Sequence, residues 1–232
     1  MAAKLLSTGF RHSTLPENYV RPLSDRPRLS QVSQLEDFPL IDISSTDRSR
    51  LVQKIHQACA RFGFFQVINH GVSKATIDEM VSVAHEFFGM PMDEKMKLYS
   101  DDPTKTPRLS TSFNVKEEEV NNWRDYLRLH CYPIDKYVHE WPSNPPSFKE
   151  VVSKYSREIR ELGLKIEELI SESLGLEKDY MKKVLGEQGQ HMAVNYYPPC
   201  LSLSSPMVYL LIPTQMPSPF FSKMLPFAVS RS

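Results

Sequence analysis

The sequence predicts an α+β chain, and three observations carry that prediction. Apolar residues recur at three- and four-residue steps over 47–62, 73–88 and 148–174, the spacing that lays one face of a helix on a core. Runs rich in β-branched and aromatic residues at 38–43, 64–68, 123–132 and 190–197 read as strands. Residues that stop or start elements, Gly63, Ser73, Pro91 and Gly175, stand at the joins.

In chain order, residues 1–36 are polar and interrupted by proline. Phe38-Pro-Leu-Ile-Asp-Ile43 is the first extended stretch, and Ser44, Ser45 and Thr46 are the candidate N-caps of the helix after it. That helix places Leu51, Val52, Ile55, Ala58, Cys59 and Phe62 on one face and ends at Gly63. Phe64-Phe-Gln-Val-Ile68 reads as a buried strand and Asn69-His-Gly71 as a turn. Ser73 caps a second helix through Ile77, Met80, Val81, Ala84, Phe87 and Phe88. Pro91 ends it or restarts it as a turn over Asp93 to Tyr99, and 100–122 reads as polar loop.

Residues 123–132, if extended, put Tyr126, Arg128 and His130 on one face and Leu127 and Leu129 on the other. The longest periodic element runs from Phe148 to Leu174, with a stripe through Tyr155, Ile159, Leu162, Ile166 and Leu169, and stops at Gly175. A short helix at Lys178 to Leu185 precedes the last strand, Gln190 to Tyr197.

Composition excludes several function classes. The 232 residues are 41% hydrophobic and 24% charged, as expected of a soluble chain with one large or two small domains. Lys and Arg total 28 against 28 Asp and Glu, so no excess field holds nucleic acid or an anionic membrane. Cys59, Cys131 and Cys200 are odd in number and widely spaced with no C-x-x-C, which argues against a disulfide framework or a structural zinc site and for a reducing, cytoplasmic location. The N-terminus lacks the apolar stretch of a signal peptide. The uncharged stretch 188–222 is broken by Pro198, Pro199, Pro206, Pro213, Pro217 and Pro219, so no membrane span is expected.

Among the seven histidines none is followed at i+2 by an acid, the spacing that supplies two ligands of a non-haem iron site from one strand face. His70 reads as a turn residue bonded to backbone, and His56 and His85 as ordinary helix residues. A different metal site drawn from His70, His130 or His191 has no support in spacing. Phosphate-cradling glycine loops and the G-x-S-x-G elbow are absent from the sequence. Arg128 with Tyr126 suits a carboxylate or phenolate ligand, because a planar guanidinium matches a carboxylate in two bonds. The plainer reading of Arg128 is a surface salt bridge.

Five stretches together carry a resemblance. They are Phe38-Pro-Leu-Ile-Asp42; Cys59-Ala-Arg-Phe-Gly-Phe-Phe-Gln-Val-Ile-Asn-His-Gly71; Phe87-Phe88 with Met92-Asp-Glu-Lys95; Trp123-Arg-Asp-Tyr126; and Asn195-Tyr-Tyr-Pro-Pro-Cys200. In this order they resemble the plant Fe(II)/2-oxoglutarate-dependent dioxygenases, and within them the salicylate 5-hydroxylases of the downy mildew resistance type, related to flavone synthases. The resemblance covers residues 1–200. It implies a helical N-terminal region over 1–147, then a long helix and the first barrel strand over 148–200. Only the start of a double-stranded β-helix, a jelly roll, is then present.

It further implies that Asn195 and Tyr197 hydrogen-bond 2-oxoglutarate and that Tyr126 and Arg128 line a pocket for a small aromatic such as salicylate or a flavonoid. In the parent family Fe(II) and 2-oxoglutarate are the cofactors. The iron ligands should follow Cys200 as His-x-Asp and a later His, with an Arg-x-Ser for the far carboxylate of 2-oxoglutarate. After His191 the sequence has no histidine and after Glu187 no acid. The expectation is therefore an inactive chain that binds neither cofactor.

Residues 201–232 differ in character, with Lys223 and Arg231 their only charges, seven serines and five prolines. With permitted codons, the stretch from Leu201 to Pro219 read one base earlier gives Pro-Glu-Pro-Glu-Leu-Thr-Tyr-Gly-Leu-Pro-Ala-His-Thr-Asp-Pro-Asn-Ala-Leu-Thr. That contains the missing His-x-Asp, so 201–232 is read as a frame-shifted, disordered tail. Loss of the barrel should leave the long helix uncovered and strand edges unpaired, giving a marginal fold. The alternative to a defective enzyme is a binding or dominant-negative module whose uncovered Tyr155-to-Leu169 stripe meets full-length relatives.

Overall fold

In a computed structural model, which describes residues 5–7, 16–25, 38–112 and 118–198, the first strand β1 (Leu40–Asp42) pairs in parallel with β2 (Gln66–Ile68). A parallel pair needs a crossover, and α1 (Arg48–Phe62) supplies it. The cap of α1 is Asp47, whose side chain accepts from the Arg50 N–H at 3.0 Å, rather than the expected Ser44, Ser45 or Thr46. Ser44 is engaged elsewhere: its N–H and its hydroxyl both donate to the Asp42 carboxylate. Gly63 closes the helix at φ 73°, a left-handed conformation that glycine adopts without a Cβ clash.

β2 is not the buried strand the sequence suggested. Ile41 and Ile43 are buried under α1, but Phe38, Leu40, Phe64 and Ile68 are exposed at 37%, 54%, 48% and 41%. A two-stranded sheet has two faces, and the crossover helix covers one of them.

Ser73 caps α2 (Lys74–Gly89) as expected, accepting from the Thr76 N–H at 3.0 Å, and the chain restarts after Pro91 as α3 (Met92–Met96). The stretch read as loop over 100–122 contains a strand, β3 (Arg108–Ser110). Three residues with one apolar member carry no period, so β3 is defined by its partner. It pairs antiparallel with β4 (Asp125–Tyr132), which pairs antiparallel with β5 (Gln190–Tyr196). Between β4 and β5 lie α4 (Ile134–Tyr137), α5 (Phe148–Ser173) and α6 (Tyr180–Leu185).

The 26 residues of α5 join two cores. Phe148 and Val152 pack with Met80, Val83 and Phe87 of α2 and with Leu109, Leu127, Leu129 and Cys131 on the back of the β3–β4–β5 sheet. Leu162, Ile166 and Leu169 pack with Leu51, Ile55 and Ala58 of α1 and with Ile41. The Tyr155-to-Leu169 stripe is thus covered by α1, α2 and the sheet, which corrects the expectation that it stands open to a partner. The helices have a sheet to pack on because β3 and β4, drawn from the N-terminal region, join β5.

One part of the core had no sequence signal. Leu5 and Leu6 are buried, and the Asp125 carboxylate accepts from the N–H groups of Leu6 at 2.9 Å and Ser7 at 2.6 Å. The buried Lys95 ammonium donates to Ser7 O and Phe88 O beside it. Among the described residues no helix is long and apolar enough to cross a membrane. The segment 201–232 lies outside the described residues.

Candidate functional site

Residues directly opposite one another in an antiparallel ladder share a face. Leu127 opposite Val194 and Leu129 opposite Met192 point into the core. The other face carries, in register, Ser110–Tyr126–Asn195, then Arg108–Arg128–Ala193, then His130–His191. Three of the four residues named from the sequence, Tyr126, Arg128 and Asn195, therefore lie on one face of adjoining strands. Tyr197 follows the end of β5 and is 39% exposed.

Tyr126 is buried, and its hydroxyl accepts from Arg108 Nη1. Arg108 is itself wholly buried and donates to Ser100 O at 2.9 Å through Nε, and to Ser110 Oγ and Ser112 O at 3.3 Å through Nη2. The guanidinium of Arg124 stands 5.2 Å and that of Arg108 5.6 Å from the Tyr126 ring centre, close enough for cation–π attraction. Burial pushes the Tyr126 phenol up, and the three neighbouring arginines pull it back down.

Among the described residues Arg128 makes no salt bridge, and its guanidinium is engaged by backbone rather than left open to an anion. Its Nη2 donates to Pro103 O and, at 2.8 Å, to Lys105 O, so it clasps the loop before β3. Burial lowers its affinity for its proton, and Nε is buried without a partner. Arg124 Nη1 donates to Asn195 Oδ1 at 2.8 Å. That bond fixes the Asn195 amide and turns its NH2 group to a long 3.4 Å contact with Ala193 O. Trp123 Nε1 holds Pro198 O at 2.9 Å, anchoring the chain just beyond Tyr197. Arg108 and Arg124 were not singled out from the sequence; their place two residues either side of a paired strand position is the signal that a known register would have supplied.

Chemically this face is a largely buried, cationic, hydrogen-bonded cluster on the ladder. It does not fit an iron centre: among the described residues no three His, Cys, Asp or Glu side chains come together to hold a metal ion. His70, in the turn at Asn69–Gly71, accepts the Val72 N–H on Nδ1 at 3.2 Å, which matches its reading as a turn residue.

A helical region leading through a long helix into a three-stranded antiparallel sheet defines a class, and comparison with known proteins agrees. Residues 38–146 match the family described as non-haem dioxygenase in morphine synthesis N-terminal. The chain belongs to the Fe(II)/2-oxoglutarate-dependent dioxygenase family. It is 88% identical over 200 residues to Protein DOWNY MILDEW RESISTANCE 6 of Arabidopsis thaliana, covering 86% of this chain and 59% of that one. It is 58% identical over 197 residues to Flavanone 3-dioxygenase 2 of Oryza sativa subsp. japonica, covering 85% of this chain and 57% of that one. The crystal structure of JOX2 in complex with 2OG, Fe and JA superposes with a TM-score of 0.72 at 33% identity, over 84% of this chain and 56% of that one. The chain thus spans less than two thirds of the length of each of these relatives.

Proposed function

We propose that these 232 residues carry the N-terminal portion of an oxygenase that hydroxylates a small aromatic, and that they do not themselves turn over. The family couples decarboxylation of 2-oxoglutarate on Fe(II) to hydroxylation of its substrate. In this reading Asn195 and Tyr197 are the 2-oxoglutarate positions, and Tyr126 with Arg128 belongs to the substrate side. The observation that carries inactivity is the donor set: the sequence has no acid after Glu187 and no histidine after His191, so no His-x-Asp follows β5. An iron facial triad needs two histidines and a carboxylate.

The test is turnover. Purified chain supplied with Fe(II), 2-oxoglutarate, ascorbate and salicylate should release no succinate above a protein-free blank, and succinate above blank overturns the reading. A separate check re-reads genomic DNA and transcript across the codons for Cys200 and Leu201. One added base or a shifted splice site that restores His-x-Asp supports the frame-shift account of 201–232; an unchanged frame in both removes it.

A further inference from the structure

His130 and His191 lie 61 positions apart in the chain and directly opposite each other on β4 and β5. Their ring centres are 4.2 Å apart at an interplanar angle of 54°. We propose that this pair is a binding site for a late divalent transition-metal ion such as Zn2+, with two imidazole nitrogens from the protein and water in the remaining positions.

Three features carry the assignment, and none depends on the function proposed above. First, among the described residues neither ring takes part in a hydrogen bond, whereas His56 Nδ1 lies 2.8 Å from Ser173 O and His70 Nδ1 accepts from Val72 N. The ligating nitrogens of the pair are uncommitted. Second, the backbone ladder fixes the separation of the two side chains. With Zn–N bonds of about 2.0–2.1 Å in a tetrahedral site, two ligating nitrogens stand about 3.3 Å apart. Rings centred 4.2 Å apart meet that by small side-chain rotations.

Third, the Tyr137 ring stacks on His130 at 4.8 Å and 22°, which restricts the imidazole before any ion arrives, while His191 is exposed and open to solvent. The charges around the pair are mixed: Arg128 and Lys136 oppose a cation and Glu140 favours one. Imidazole-only ligation with open positions suits Zn2+, Ni2+ and Cu2+ rather than the oxygen-seeking Mg2+ or Ca2+.

The experiment uses the whole chain, stripped with chelator and titrated calorimetrically with Zn2+. One ion per chain is expected, with affinity at least tenfold weaker in H130Q and in H191Q, and no further loss in the double variant. Unchanged Zn2+ affinity in either variant, loss of binding in C59S instead, or no uptake by the wild type each overturns the proposal. Should a variant fail to fold, histidine carbethoxylation of the wild-type chain decides. Protection by Zn2+ confined to the His130 and His191 peptides supports the site, and modification of both at the metal-free rate overturns it.

Discussion

Asp125, at the start of β4, accepts the backbone N–H of Ser7 at 2.6 Å, a bond that spans 118 residues of chain and seats Leu5 and Leu6 in the core. Its second oxygen takes the Leu6 N–H, and Lys95 lies beside it as the opposing charge. Asp125→Ala leaves the buried N–H groups of Leu6 and Ser7 without their acceptor, a loss of about 1–3 kcal/mol for each. Urea unfolding measures it. Deletion of residues 1–7 should cost a comparable amount, and combining the two should fall well short of additivity because both break one contact.

The Tyr126 hydroxyl is an acceptor for the buried Arg108. Tyr126→Phe keeps the ring and leaves Arg108 Nη1 short of a partner, so stability should fall by about 1–3 kcal/mol. Arg108→Lys should be no milder, since one ammonium cannot reach Ser100, Ser110, Ser112 and Tyr126 at once. Denaturant midpoints of the two variants check this.

Leu169, in the C-terminal half of α5, has no exposed surface and packs in the cluster with Leu51, Ile55 and Ala58 of α1. Leu169→Ala should cost about 2–5 kcal/mol through lost burial and the cavity it leaves. Leu174, just beyond the helix and 58% exposed, should tolerate alanine within about 0.5 kcal/mol. Thermal melts of the pair distinguish a covered α5 stripe from an open one.

The depressed imidazoles of His130 and His191 set a pH dependence. Their folded-state values lie below the ordinary 6.5, so between the two the unfolded chain binds more protons than the folded one. Stability is therefore full above about pH 6.5 and falls as the pH drops toward the folded values. The groups around the pair are Arg128, Lys136 and Glu140, and protonating both rings adds like charge beside Arg128. Melting temperature measured from pH 7.5 down to pH 5 should decline, and the decline should be shallower in H191Q.

Much of the fold is legible in the sequence. The three long helices follow from apolar steps of three and four, and Ser73 and Gly63 marked their ends where the structure has them. β4 and β5 were visible because eight and seven residues of strand-forming sequence suffice to show an alternation. β3 was not, since Arg108-Leu-Ser110 is a strand only by virtue of a partner some 18 residues on. Arg128 was legible as a special residue but not in its role, because the carbonyls of Pro103 and Lys105 come to it through a loop fold.

The sequence by itself determined the helix and strand content, the five stretches that mark the dioxygenase family, and the lack of a His-x-Asp after Asn195. These are local properties, carried by neighbours within a turn of helix or a few residues of strand. Only the tertiary structure decided that α1 and α2 cover α5, that Leu5 and Leu6 enter the core, that Arg108 and Arg124 flank Tyr126, and that His130 meets His191. Each of those depends on strand register or helix packing between residues far apart in the chain. A one-residue change of register would turn His191 to the opposite face while leaving its local sequence unaltered.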